Sequence, residues 1–392
     1  TTRGAGSTLT GSATPKYGGW VLDLSGMDAF KIDPLSNFCH AQAGAVVGRI
    51  QDAALEQNRF YPPDPSSLKW CTIGGNIACN AGGLRCVKYG VTRDYVVALG
   101  GFLPTGEPVQ FGRDLKKFAS GYNLRDLWIG SEGMLGIITR ATLKLIPAPR
   151  DRRTFLASFQ TERSVLESVQ ALLEDGRVQP SILEFLDRLS VRGAEGRIGR
   201  TLFPRSPGSP LLLVEVDGHP AQVTEDAECV KQWLASSAVE CLEATNKAEA
   251  DQLWEVRRKC SGAMFELGNS KLNQDVVVPI RLEADLVEFI ETVRESTGLP
   301  IAVFGHAGDG NLHVNVMYDR RSMDVRETAA KAVKMVMEKV VELGGSISGE
   351  HGIGLAKTAY TNMEFSSAEF ATMKAVKKAL DPRNILNPGK LF

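Results

Sequence analysis

Histidine is scarce in this chain, with five residues in 392, and net charge is nearly absent, at a formal -1. The balance of 45 Lys+Arg against 46 Asp+Glu removes the phosphate-neutralising surplus that a general nucleic-acid binder needs. A local cluster at Arg150, Arg152 and Arg153 reads as a solvated linker. No apolar run approaches the roughly 20 residues that span a bilayer, so no transmembrane segment is expected, and the N-terminus has no charged-then-apolar leader. The seven cysteines are odd in number and include no Cys-x-x-Cys pair. That argues against a disulfide framework and against an iron–sulfur cluster or zinc knuckle built on close cysteine pairs, and it favours a reducing, cytoplasmic compartment. Neither a Walker loop nor a G-x-G-x-x-G dinucleotide fingerprint is present.

What remains is a globular chain with 43% hydrophobic and 23% charged residues, too long for one ordinary core, so that two or more domains are expected. The first 150 or so residues are rich in glycine and short strand-like runs (Trp20–Leu24, Phe38–Val47, Tyr95–Leu99), with one helix near Val46–Gln57. After Pro147-Ala148-Pro149 the texture changes. Strand-like Thr154–Phe159, Ser181–Phe185 and Leu211–Val216 alternate with helix-like Glu162–Glu174 and Thr224–Ser237, the pattern of helices over a sheet.

The small residues of the first half are informative. Arg3-Gly4-Ala5-Gly6-Ser7-Thr8 looks like an anion loop, in which glycine backbone approaches phosphate oxygens and hydroxyls add donors. Further small-residue stretches follow, from Pro62-Pro63-Asp64-Pro65 through Thr72 to Gly83, then Lys88 to Asp94 and Gly130 to Gly136. One such run is explained by tight turns; all of them together point to an elongated ligand lying on the backbone.

Three of the five histidines fall in two Gly-rich motifs of the second half, FGHAGDGNLHVNV from Phe304 and GEHGIG from Gly349. Leu312 to Tyr318 alternates with period two, placing His313, Asn315 and Met317 on one face. Asp309-Gly310 is a hairpin signal, and folding there returns His306 towards His313. Two histidines alone fit an inert hairpin tip as well as a metal site. Adding Glu350 gives a set of two histidines and a carboxylate with open positions, suited to zinc, iron or manganese without choosing among them. His40 reads as structural, and His219 as a surface turn residue.

The order RGAGST, YPPDPSS, TIGGNIACNAGG, KYGVTRDYV and GYNLRDLWIGSEGMLGI resembles the FAD-binding domain of the vanillyl-alcohol oxidase / para-cresol methylhydroxylase (PCMH) flavoproteins. Within that family it is similar to the D-2-hydroxy-acid dehydrogenase branch, which includes the flavin subunit of glycolate oxidase and D-lactate dehydrogenase. The resemblance implies an α+β fold: a PCMH-type FAD-binding domain over 1–148, N-terminally incomplete and lacking its first segment; a ferredoxin-like substrate (cap) domain over 149–375 with the metal site; and a tail, 376–392, returning to the flavin. It implies non-covalent FAD, with Arg3, Gly4, Ala5, Gly6, Ser7 and Thr8 on the pyrophosphate. Pro63, Thr72, Gly74, Gly75, Asn76, Ala81 and Gly82 would line the flavin and its phosphates. Tyr89, Gly90, Glu132, Gly136 and Ile138 would lie along the adenosine and ribityl side, and Asn387 would sit in the returning tail.

HAGDGNLH and GEHGIG match the branch's metal motifs, which implies His306, His313 and Glu350 as ligands and His351 as the base. Asn315 matches a substrate-facing position, and Arg257 the arginine that receives the substrate carboxylate, with Arg258 as its neighbour and Ser261 and Asn273 as further pocket candidates. The expected reaction is oxidation of a small D-2-hydroxy acid (glycolate or D-lactate) to the 2-oxo acid, with hydride passing to flavin N5. D-2-hydroxyglutarate, with Lys271 on its second carboxylate, and a non-catalytic flavin-binding subunit are the alternatives. Without a nicotinamide fingerprint, the expected acceptor is a quinone, a cytochrome, an electron-transfer flavoprotein or an iron–sulfur subunit, with membrane association only through such a partner.

Overall fold

Ile137–Lys144 buries its apolar side chains on a pleated surface and forms the middle of a five-stranded antiparallel sheet. The order is Phe30–Asp33, Phe38–Gln42, Ile137–Lys144, Val96–Phe102, Pro108–Gly112. Helices Val47–Glu56 and Ile73–Cys79 offer Val47, Ile50, Ala54, Ile73 and Ile77 at three- and four-residue spacing, and these join Tyr61, Leu99, Trp128 and Leu143 in the core. Full burial of each Ile or Leu side chain contributes about 1.5–3 kcal/mol. The computed structural model describes every residue, 1–392. The chain divides into one unit of Thr1–Arg85, Tyr89–Ala148 and Glu350–Phe392 and a second of Cys86–Lys88 and Pro149–Gly349.

The strand expected at Trp20–Leu24 shrinks to Leu22–Asp23, paired in parallel with Thr2–Arg3, and Trp20 is 92% exposed. A run of apolar residues is not enough for a long strand where no layer covers it.

In the second unit a seven-stranded antiparallel sheet begins with strand Asp151–Ser158, helix Glu162–Asp175, strands Ile182–Leu186 and Leu211–Gly218, helix Pro220–Ser237 and strand Glu240–Ala244. In space these four strands run last, first, third, second, the order of the ferredoxin-like fold. Ile301–His306, Asn311–Tyr318 and Ser270–Val277 extend the sheet beyond Ile182–Leu186. Pro220 starts its helix earlier than the apolar pattern predicts, because proline suits the first helical position.

The returning segment begins at Glu350 and not at 376. The reason is polar: the 350–354 turn is hydrogen-bonded to Thr10 and Glu132 of the first unit, and sequence periodicity carries no sign of such bonds. No helix is long and apolar enough to cross a membrane.

Candidate active site

Arg3 to Thr8, Thr72, Gly74, Gly75, Asn76, Ala81, Glu132, Gly136 and Ile138 line one cavity of the first unit. Ser66, Ser67 and Trp70 line it as well, as do Glu350 and His351. Absent side chains let its walls pack closely. A Cβ on Gly4 would lie 2.1 Å from Thr72 Oγ1, and one on Gly136 would lie 2.0 Å from the Trp128 ring. Thr72 stands at the N-cap of helix Ile73–Cys79 but makes no side-chain cap bond. Its Oγ1 and Asn76 Nδ2 are buried with no hydrogen-bond partner in the protein. Such groups cost about 1–3 kcal/mol each unless something satisfies them, so the cavity fits a ligand with polar atoms on its walls.

Pro63, Gly82, Tyr89, Gly90 and Asn387 do not line this cavity, and four of them have structural work of their own. The Pro63 carbonyl accepts from Gln51 Nε2 at 2.8 Å. Tyr89 meets Phe60 edge-on at 5.7 Å. Gly90, at φ +77°, occupies a turn where a Cβ would lie 2.2 Å from the Asp94 carboxylate. Asn387 clamps chain segments, donating to the Ser12 carbonyl at 2.9 Å and the Glu132 carbonyl at 2.7 Å.

Glu132 lines the cavity, yet its carboxylate serves as an anchor. It is buried in the left-handed region at φ +49°. It accepts from the Ile353 amide at 2.8 Å, the Gly354 amide at 2.9 Å and the Ser12 hydroxyl at 2.5 Å. Thr10 Oγ1 donates to the His351 carbonyl at 3.1 Å. These bonds hold the GEHGIG turn, in which His351 Nε2 lies 3.5 Å from Glu350 Oε1.

The second unit builds a polar face on its sheet. Residues opposite one another on antiparallel strands share a face. Glu184, His306 and Asn311 form one row; Phe304, His313 and Asp275 the next; Ala302, Asn315 and Asn273 a third. The hairpin connection is four residues long, Ala307 to Gly310, and Gly310 turns at φ +83° with no room for a Cβ, which would lie 2.1 Å from the Val278 carbonyl. His306 and His313 are both buried, their rings 5.2 Å apart and nearly perpendicular, with candidate ligand nitrogens within 4.8 Å of each other.

Sequence reasoning missed Glu184. Its carboxylate, fully buried, closely engages both His306 Nδ1 and Arg257 Nε. Burial alone would raise its pKa, but the His306 ring and the Arg257 guanidinium outweigh that and hold it at about 2. A depressed carboxylate contributes stability above its unfolded value, so the contribution is complete above pH 4.5 and is lost as the pH falls towards 2. The available signal was a lone acid inside the apolar run Ser181-Ile182-Leu183-Glu184-Phe185-Leu186.

Arg257 also stacks over Phe304, its guanidinium carbon 4.7 Å from the ring centroid, whereas Arg258 is exposed and turns back to Asp251. Asn315 is fully buried and occupied: Nδ2 donates to the Ala302 and His313 carbonyls, and Oδ1 accepts from Asn273 at 2.8 Å. It ties the strands together under His313. Ser261 is exposed and accepts from Lys271 Nζ at 3.1 Å. Asp275 was also missed. It sits opposite His313 and accepts from the Gly349 amide at 3.0 Å, so the residue before Glu350 is fixed on the histidine-bearing sheet. His40 is exposed beside Asp114, and His219 caps helix Pro220–Ser237.

Comparison with known proteins resolves the family. The profile for FAD linked oxidases, C-terminal domain, matches residues 148–391, and that for an FAD binding domain matches residues 1–112. The chain belongs to the FAD-linked oxidases. It is 39% identical over 394 residues to the glycolate oxidase subunit GlcD of Bacillus subtilis, covering 100% of this chain and 83% of that protein. It is 36% identical over 403 residues to a D-lactate dehydrogenase of Anaerostipes hadrus, covering 100% and 84%. Among solved structures, p-cresol methylhydroxylase with substrate bound superposes with a TM-score of 0.80 at 19% identity, covering 100% of this chain and 83% of that one, which shows the PCMH-type fold. FAD is thus the cofactor of this FAD-linked oxidase, and the unsatisfied Thr72 and Asn76 groups together with the glycine-lined wall fit it.

Proposed function

We infer that this FAD-linked oxidase converts a small D-2-hydroxy acid, glycolate or D-lactate, to the 2-oxo acid, with a divalent metal held by His306, His313 and Glu350. The observation that carries the reading is the set of His306, His313 and Glu184 buried on one sheet face, two metal-type ligands, with Arg257 of helix Lys247–Ala263 fixed against Glu184. The names of the relatives support the substrate class. Glu350 follows directly on Gly349, about 3.8 Å away between Cα atoms across a trans peptide, and Gly349 is bonded to Asp275 opposite His313.

When bound, FAD supplies the hydride acceptor and the metal supplies Lewis acidity at the substrate hydroxyl. Arg257, fixed by Glu184 through Nε, receives the substrate carboxylate. His351 takes the hydroxyl proton on its ring, whose Nε2 lies 3.5 Å from Glu350 Oε1. Glu132 keeps that turn in register. The acceptor for such an oxidase would be other than a nicotinamide: a quinone, a cytochrome, an electron-transfer flavoprotein or an iron–sulfur subunit.

Anaerobic addition of D-lactate or glycolate to the FAD- and metal-loaded protein should bleach the flavin absorbance. Protein that stays yellow with both of these, and with D-2-hydroxyglutarate, is a flavin-binding subunit and not a dehydrogenase. Arg257→Ala should raise KM by on the order of 10²-fold, about 2–3 kcal/mol of lost carboxylate binding, with flavin content unchanged. Steady-state kinetics that leave KM and kcat as in the wild type remove Arg257 from substrate capture.

A further inference from the structure

Glu184 belongs to no motif, lies 122 residues from His306 and 73 from Arg257, and is fully buried between them. One carboxylate oxygen meets His306 Nδ1, the other Arg257 Nε. An imidazole has two ring nitrogens. With Nδ1 directed at Glu184, only Nε2 is left to bind a metal, and it must carry no proton to do so. A carboxylate is acceptor-only, so it enforces a proton on Nδ1 and leaves Nε2 bare. The same group fixes the guanidinium plane, which Phe304 supports from below at 4.7 Å.

We propose that Glu184 is a shared positioning residue: it sets the His306 tautomer for metal binding and, with its second oxygen, aims Arg257 at the substrate carboxylate. The proposal rests on the reading of His306 as a metal ligand. It deepens that reading by coupling metal and substrate capture through one buried side chain.

The isosteric amide tests it sharply. In Glu184→Gln only one oxygen remains. Arginine can only donate, so the amide oxygen stays with Arg257 and the NH₂ group faces His306 Nδ1. That reverses the tautomer and places the proton on Nε2. Full-length, FAD-loaded protein stripped of metal should take up stoichiometric Zn²⁺ when titrated against a chromophoric chelator, and His313→Ala should not. Glu184→Gln should bind Zn²⁺ roughly 10–100-fold more weakly, with flavin content retained. Glu184→Ala, lacking both oxygens, should weaken zinc and also raise KM.

Histidine ring ¹⁵N shifts of the metal-free wild type should show a protonated Nδ1 on His306, a readout that survives even if both variants fold poorly. Zinc affinity of Glu184→Gln equal to wild type, or a bare Nδ1 in the wild type, overturns the proposal and leaves the metal site standing. A wild type that takes up no zinc, or a His313→Ala protein that takes it up normally, overturns the metal reading and this proposal with it.

Discussion

His313→Ala should leave the flavin in place, abolish bound divalent metal and sharply lower turnover. His313 is buried, with ligand-competent nitrogens close to those of His306, and a methyl group offers the metal nothing. Loss of Lewis-acid assistance is worth several kcal/mol, so kcat should fall by on the order of 10³-fold. Elemental analysis and the visible flavin spectrum read the two halves separately. Metal content unchanged in the variant would remove His313 from the ligand set. The cavity lined by Arg3–Thr8, Thr72 and Asn76 belongs wholly to the first unit, which is why flavin content should not follow the metal.

The second large effect is on stability. Glu132→Ala removes one acceptor shared by the Ser12 hydroxyl and the Ile353 and Gly354 amides. Hydrogen bonds to a charged acceptor contribute about 1.5–3 kcal/mol each, and their loss strands buried donors. Because the three act together, a net cost of about 3–5 kcal/mol is expected. At roughly 2–4 °C per kcal/mol for a unit of this size, the melting temperature should fall by on the order of 10 °C. Glu132→Gln, which retains one oxygen, should fall between. A melting temperature for Glu132→Ala within a degree of the wild type would show that the GEHGIG turn is held elsewhere. Activity should drop with stability, because that turn carries Glu350 and His351.

Much of this site was legible in the sequence, for identifiable reasons. The alternation Leu312–Tyr318 is a local property, as is the Asp309-Gly310 turn, and the strands formed where period two placed them. The small residues from Gly4 to Gly136 announced a wall that a ligand approaches closely, and most of them line one cavity. Pro63, Tyr89, Gly90 and Asn387 show the limit of that inference. A proline whose carbonyl takes a side-chain bond, a glycine at positive φ and a buried asparagine clamp each have work in the fold, and at the level of residue type they look the same as ligand contacts. Asn315 shows a related limit: period two put it on the face of His313, but its amide is consumed by Ala302, His313 and Asn273.

By itself the sequence determined the family, the hairpin and the identity of the chemical groups, because each of these is written in short stretches of neighbouring residues. Tertiary structure alone decided how those groups are held. Glu184 reaches His306 because strand Ile182–Leu186 lies beside Ile301–His306 in the sheet, and it meets Arg257 because helix Lys247–Ala263 brings that side chain to it. Asp275 fixes Gly349, and Glu132 fixes Ile353 and Gly354, across 74, 221 and 222 positions of chain. A buried carboxylate stays ionised only where donors or cations converge on it. That convergence is a property of strand order and not of any local run of residues.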